Sequence, residues 1–230
     1  PIPEKLKDAV QAEIARLLNE GIIRKAQCPL FASPAFPIQK KNGTTRLVVD
    51  YRKVNEVTVK EAFPFPNVRE HLQSIPKSKI FSQLDLKQGY HQIELDENSK
   101  KFTAFVTPFG HYEYNRIPFG LANAPRVFQS LMHNLMCHLP FIRVFLDDII
   151  VFSQSEDEHA DNLNQVLDII RINNMTLSFE KSSFFKQSVK FLGHIVNEEG
   201  IRPDISRLGD IETFETPKTK RQLLKPWGNK

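Results

Sequence analysis

Cysteine is nearly absent. Only Cys28 and Cys137 occur, far apart and outside any CxxC spacing. That pattern indicates neither a disulfide framework nor a cysteine-based zinc site. It fits a reducing, intracellular compartment, with cytoplasmic particle and nucleus not distinguishable. Long apolar runs are also missing: none approaches the roughly 20 residues that span a bilayer. The N-terminus is charged from Glu4 and does not read as a signal peptide. There is no internal repeat and no low-complexity segment. With 40% hydrophobic and 25% charged residues over 230 positions, a soluble chain with a substantial core is expected.

What is present is unevenly placed. Residues 1–60 carry 11 Lys/Arg against 6 Asp/Glu, residues 61–180 carry 10 against 15, and residues 181–230 carry 10 against 6. Basic ends flanking an acidic middle suit a polyanion held by the flanks and a cation held between them. Chance distribution over solvated faces explains the charges equally well.

The spacing of Leu6, Val10, Ile14, Leu17 and Leu18 predicts a first helix that stops at Gly21. Residues 35–51 read as a hairpin around Asn42-Gly43, with Lys40, Lys41 and Arg46 crowding its tip. Val68, Leu72 and Ile75 mark a short helix, FSQLDL a strand carrying Asp85, and residues 102–119 strands turning at Pro108 to Gly110. A helix from Ala124 is expected to run until Pro140, and by residue type alone Gln129 on it would read as a polar surface residue. Ser155 and Glu158 form a capping box for a helix through Ile170, and VKFLGHIV reads as another hairpin. Strands and helices mix without a βαβ repeat, which predicts an α+β fold built on an antiparallel sheet.

The chemistry gathers at residues 144–153, VFLDDIIVFS, expected as strand, turn and strand. Adjacent carboxylates repel, and an apolar frame makes their ionised forms costlier. A tight turn prefers Gly or Asn, so Leu-Asp-Asp there implies accepted strain. Neighbouring strand residues face opposite ways, so Asp147 is the better cation ligand and Asp148 secondary. Asp85, in an otherwise apolar strand beside Gly89, is the natural second carboxylate. Oxygen ligands suit Mg²⁺ or Mn²⁺, and two such ions about 3.5–4 Å apart serve in-line displacement at phosphorus. A plain acidic hairpin turn remains the alternative at this point.

Six segments then occur in order: EGIIRKAQCPLFASP, KKNGTTRLVVDYRKVN, FSQLDLKQGYHQI, TAFVTPFGHYEYNRIPFGLANAPRVFQ, FLDDIIVFS and VKFLGHIV. Together they resemble the reverse transcriptases of gypsy-type LTR retrotransposons and their retroviral relatives, from about Pro3 to Leu224. The resemblance implies a right-hand polymerase fold, its palm an antiparallel sheet packed on helices. It implies fingers at 1–60 and 93–123, palm at 61–92 and 124–200, and a truncated start of the thumb at 201–230, so that the thumb is largely missing.

By the same resemblance, Asp85, Asp147 and Asp148 are the catalytic carboxylates, holding two Mg²⁺ (Mn²⁺ as an alternative) while a primer 3′-OH attacks an incoming dNTP. Lys40 and Arg46 contact the triphosphate, the backbone from Leu86 to Gly89 cradles phosphates, and Tyr90 packs beneath the sugar. Phe119 lines the nucleotide pocket and Lys181 lies close to the pyrophosphate. Gly120 and Phe145 lie toward template and primer, and Phe191, Leu192, Gly193 and His194 form the hairpin gripping the primer end. The implied partners are an RNA or DNA template with primer, and dNTPs. No membrane is implied, and the oligomeric state is unassigned.

Two positions depart from the family pattern. Phe145 stands where Tyr is usual, and Arg126 where a small residue is usual. The expected activity is template-directed DNA synthesis. The second hypothesis is a weak or inactive nucleic-acid-binding remnant. A metal-dependent nuclease ranks behind both, since it needs neither Tyr90 nor a basic hairpin.

Overall fold

The computed structural model describes residues 2–26, 32–39, 43, 45–60 and 65–207. In chain order the elements begin with α1 (Lys7–Asn19), β1 (Ile23–Lys25), β2 (Ser33–Gln39), β3 (Thr45–Val49), α2 (Arg52–Val57), α3 (Val68–Gln73) and β4 (Ile80–Asp85). They continue with α4 (Glu97–Lys100), β5 (Phe105–Thr107), β6 (Gly110–Tyr114), α5 (Ala124–Met136), β7 (Ile142–Phe145) and β8 (Asp148–Ser153). The last are α6 (Glu156–Ile172), β9 (Ser183–Lys186), β10 (Ser188–Phe191), β11 (His194–Asn197) and β12 (Gly200–Pro203).

The first core forms because α1 repeats its apolar residues at helical spacing. Val10, Ile14 and Leu17 pack on Leu47, Val49, Tyr51, Phe105, Tyr112 and Tyr114. All of these partners but Tyr51, which leads into α2, come from a sheet ordered β1-β6-β5-β2-β3, antiparallel apart from the β2–β5 pair. The sheet draws on chain both before and after β4, so two sequence segments make one layer. The Tyr51 hydroxyl donates to Thr103 O at 2.8 Å, which satisfies the polar end of a ring buried in that core.

The second sheet, ordered β7-β8-β4-β9, explains the apolar flanks on either side of the Asp pair in VFLDDIIVFS. Ile149 and Val151 pack with Phe128 and Met132 of α5 and with Leu163 and Val166 of α6. Ile150 and Phe152 face the other way, onto Leu72, Val189, Phe191 and Val196. β8 is therefore covered on both faces, and such strands lose the apolar–polar alternation. The opposite face is closed by α3 and by a third sheet, β10-β11-β12.

The fold is α+β, as the pattern predicts. α5 ends at Met136, short of Pro140, and Leu139 N closes a tighter turn onto Met136 O at 3.0 Å. A residue before proline is pushed out of helical geometry, so the helix must finish early. At α6 the Ser155 side chain accepts from Glu158 N, while the Glu158 carboxylate accepts from Gln154 N at 2.8 Å. Among the described residues no helix is long and apolar enough to cross a membrane.

Candidate active site

The β7–β8 turn is held in an unfavourable backbone conformation. Leu146 has φ +51°, a left-handed angle that L side chains other than Asn and Asp seldom adopt. Its N–H donates to Gln129 Oε1 at 2.6 Å, and Gln129 Nε2 donates to Val144 O at 3.2 Å. Gln129 is only 2% exposed, so it is not the surface residue that its type alone suggests. The helical spacing holds the missed signal. Position 129 lies three residues before Met132 and one after Phe128, on the face that packs into the sheet.

The turn presents Asp147, and the ladder presents the other two carboxylates. Asp85 and Asp148 are directly opposed in the antiparallel β4–β8 register. Asp85 is fixed through its backbone: its N–H donates to Ser182 Oγ at 3.1 Å, and its carbonyl accepts from Ser178 N at 2.8 Å. Lys181 Nζ lies 3.5 Å from Asp85 Oδ1, on a side chain 70% exposed. Asp147 Oδ1 is buried and has no hydrogen-bond partner. It points at Gly89, where an added Cβ would lie 2.0 Å away, so only glycine leaves the carboxylate its place.

The electrostatics follow from that crowding. Burial, and then the Asp85 and Asp148 charges, push the Asp147 carboxyl up to about 6, with Lys181 opposing. Asp148 is also raised, by burial and then Asp85, while a Gln83 hydrogen bond and Lys181 oppose the shift. A buried, orphaned carboxylate oxygen beside two more carboxylates is a site short of positive charge. Among the described residues no three or more His, Cys, Asp or Glu side chains form a ready-made metal cage. The donor set fits Mg²⁺, which commonly takes one or two carboxylates and fills its shell with substrate phosphates and water.

Beside the carboxylates lies an aromatic wall. The Tyr90 ring sits 5.0 Å from Phe119 and 5.5 Å edge-on from Phe128. Arg46 stacks its guanidinium 4.2 Å above Phe119, and His91 meets the same ring edge-on at 5.1 Å. Burial and then the nearby Arg46, Arg16 and Arg116 charges lower His91 to about 4, so it packs as a neutral ring. Burial and then Asp147 raise the Tyr90 hydroxyl.

The Leu86 side chain is buried, so only its backbone is available for recognition; its N–H donates to Asp147 O at 3.3 Å. Asn55 was missed by sequence reasoning. It donates to Gly120 O and accepts from Ala122 N, both at 2.8 Å, and so ties the 119–122 loop to α2.

Phe145 is half-buried, 6.3 Å from Phe65. Leu192 (φ +48°) and Gly193 (φ +76°) form the two-residue loop between Phe191 and His194. Two positive φ angles give it the type I′ geometry that matches strand twist. Phe191 is wholly buried in the third core, so it can support that loop but cannot present its ring to a ligand. His194 Nδ1 lies 3.0 Å from Leu192 O. Lys40 lies outside the described residues, as does most of the 201–230 segment.

The chain is similar to known proteins over nearly all of its length. The family described as "Reverse transcriptase (RNA-dependent DNA polymerase)" matches residues 38–196. The chain is 38% identical over 230 residues to the retrovirus-related Pol polyprotein from transposon 297 of Drosophila melanogaster, covering 97% of this chain and 22% of that polyprotein. It is 38% identical over 220 residues to the corresponding polyprotein from transposon gypsy of the same organism, covering 92% and 21%. The chain thus spans about a fifth of the curated relatives it matches. Among solved structures, a foamy viral protease-reverse transcriptase in complex with double-stranded DNA superposes with a TM-score of 0.89 at 27% identity, covering 97% of this chain and 47% of that one. The same enzyme with an RNA/DNA hybrid gives 0.86 at 27% identity, covering 97% and 30%.

Proposed function

The chain belongs to the reverse transcriptase family, and from that premise we propose that it synthesises DNA from dNTPs on a primed RNA or DNA template. One observation carries this reading above the family likeness: the buried, unpartnered Asp147 Oδ1 beside the opposed Asp85 and Asp148. A stable fold gains nothing from that concentration of negative charge, whereas a site that receives cations with a polyanionic substrate requires it.

Asp85, Asp147 and Asp148 would hold two Mg²⁺, or Mn²⁺ in their place. Bound there, the ions supply a lowered pKa for the primer 3′-OH and neutralise charge on the phosphates. The 3′-oxygen forms its bond to the α-phosphorus as the bond to pyrophosphate breaks. The chain's own residues bind and orient the reactants. Gly89 keeps the space that Asp147 occupies, and Tyr90, backed by Phe119 and Phe128, forms a floor for the sugar. Arg46 and Lys40 take the triphosphate; a guanidinium stacked on the partly exposed Phe119 ring exchanges on the order of 1 kcal/mol of cation–π energy for charge-assisted phosphate bonds. Lys181 balances charge near the leaving pyrophosphate.

We assign residues 1–60 and 93–123 to fingers and 61–92 and 124–200 to palm. The separate α1 and α5–α6 cores support that division. The 192–193 turn suits the primer end, and the foamy viral complexes support template-primer as the partner.

Primer extension on poly(rA)/oligo(dT) with dTTP and Mg²⁺ tests the reading. The parent chain should extend, and Asp147→Asn should lose at least about 100-fold in kcat, the scale of removing a key electrostatic group. Binding without extension by the parent chain would leave a nucleic-acid-binding remnant and remove the polymerase reading.

A further inference from the structure

We propose that Gln129 is a positioning residue for Asp147, acting through the backbone of the β7–β8 turn; this rests on the polymerase reading above. The turn must place a carboxylate against Gly89 while Leu146 holds φ +51°. That angle is sterically disfavoured for a non-glycine residue, and something must hold the backbone in it. A two-residue hairpin with Gly at the bend would relieve the strain but would also free the turn to move. Here the restraint comes from outside the hairpin. The Gln129 amide spans the bend, accepting from Leu146 N–H at 2.6 Å and donating to Val144 O at 3.2 Å.

The bond to Val144 O is buried and the bond from Leu146 N–H is part-buried. Gln129 is 2% exposed and Val144 is 8% exposed, so the Val144 carbonyl has no solvent to replace the amide and the Leu146 N–H has little. Gln129 itself is anchored on α5, where Phe128 and Met132 are fully buried in the same core as Ile149 and Val151. Phe128 also contacts the position that a Cβ on Gly89 would occupy, and its ring meets Tyr90. One helical turn therefore braces the Asp147 backbone, flanks the carboxylate's pocket and supports the nucleotide wall. Loss of the amide should let Leu146 relax toward negative φ and rotate Asp147 off Gly89, without touching template-primer contacts.

The test compares the parent chain with Gln129→Met, which keeps side-chain length but has no amide, and Gln129→Glu. Three quantities are measured: amide hydrogen exchange, template-primer affinity on poly(rA)/oligo(dT), and steady-state dTTP kinetics. In Gln129→Met, the Leu146 amide should lose protection at least tenfold while β8 and α6 amides keep theirs. The kcat should fall about 10- to 100-fold, with dTTP KM and template-primer Kd within threefold. Gln129→Glu retains a donor and an acceptor when protonated. Near pH 6 it should stay within about fivefold of the parent and fall further behind as pH rises and the buried carboxyl ionises.

Unchanged kcat and unchanged Leu146 exchange in Gln129→Met would overturn the proposal. So would an equal loss of protection across β8 and α6, which marks a general packing role. A parent chain that fails to extend primers removes the polymerase reading and, with it, the proposal, even where the exchange arm still detects the brace.

Discussion

Asp147 occupies a place where its ionised form is disfavoured, and that has a consequence for stability as well as chemistry. The folded carboxyl is pushed from 3.8 to about 6 by burial and by Asp85 and Asp148. The folded state therefore binds more protons than the unfolded state between those values, and stability falls as pH rises through that window. At pH 7 the full penalty is present. Because the group is only partly buried, solvent screening reduces it to about 1 kcal/mol. Asp147→Asn should thus melt about 2–4 °C above the parent at pH 7. The advantage should vanish near pH 4, as calorimetry at both pH values would reveal. An equal or lower Tm at pH 7 would mean that the charge is not under strain. The pair of aspartates was legible in the sequence, because carboxylates inside an apolar run are conspicuous. Gln129 was not, since a glutamine on an amphipathic helix carries no local mark of which backbone it will reach.

At the scale of elements, most of what depends on neighbours in the chain was legible in the residues themselves. The α1 stripe, the paired strands β2 and β3, β4 around Asp85 and the β10–β11 hairpin all form where local residue patterns put them. The Ser155 cap is a case that can be tested. Its side chain accepts from Glu158 N at the start of a helix whose buried face includes Leu163, Val166 and Ile170. Ser155→Ala should cost about 1 kcal/mol, or roughly 2–4 °C in Tm, and leave primer extension unchanged. A drop in kcat would tie α6 to the site more closely than its packing behind β8 suggests. The early end of α5 was misread because proline restricts the residue before it, not only its own position. The burial of His159 was equally invisible. Its ring bonds Ser82 Oγ at 2.7 Å and Ser153 Oγ at 2.9 Å, partners that are remote or unremarkable in the chain.

For the whole molecule, the small net charge of +4 conceals basic flanks around an acidic middle. If phosphates are held by those flanks, template-primer affinity should fall by about 100-fold between roughly 50 and 200 mM salt for about four phosphate contacts. Fluorescence anisotropy across that range gives the slope, and a flat response would contradict phosphate-dominated binding. The sequence by itself determined the α+β class, the ordered motifs and the three candidate carboxylates, because these rest on residue type and short spacing. Only the tertiary structure decided that Asp85 opposes Asp148, that Gly89 rather than a larger residue must face Asp147, and that Gln129 braces the bend. Each of those depends on strand register and helix docking. Those in turn follow from which apolar faces bury one another across long stretches of chain, a property of the assembled cores that no local run of residues contains.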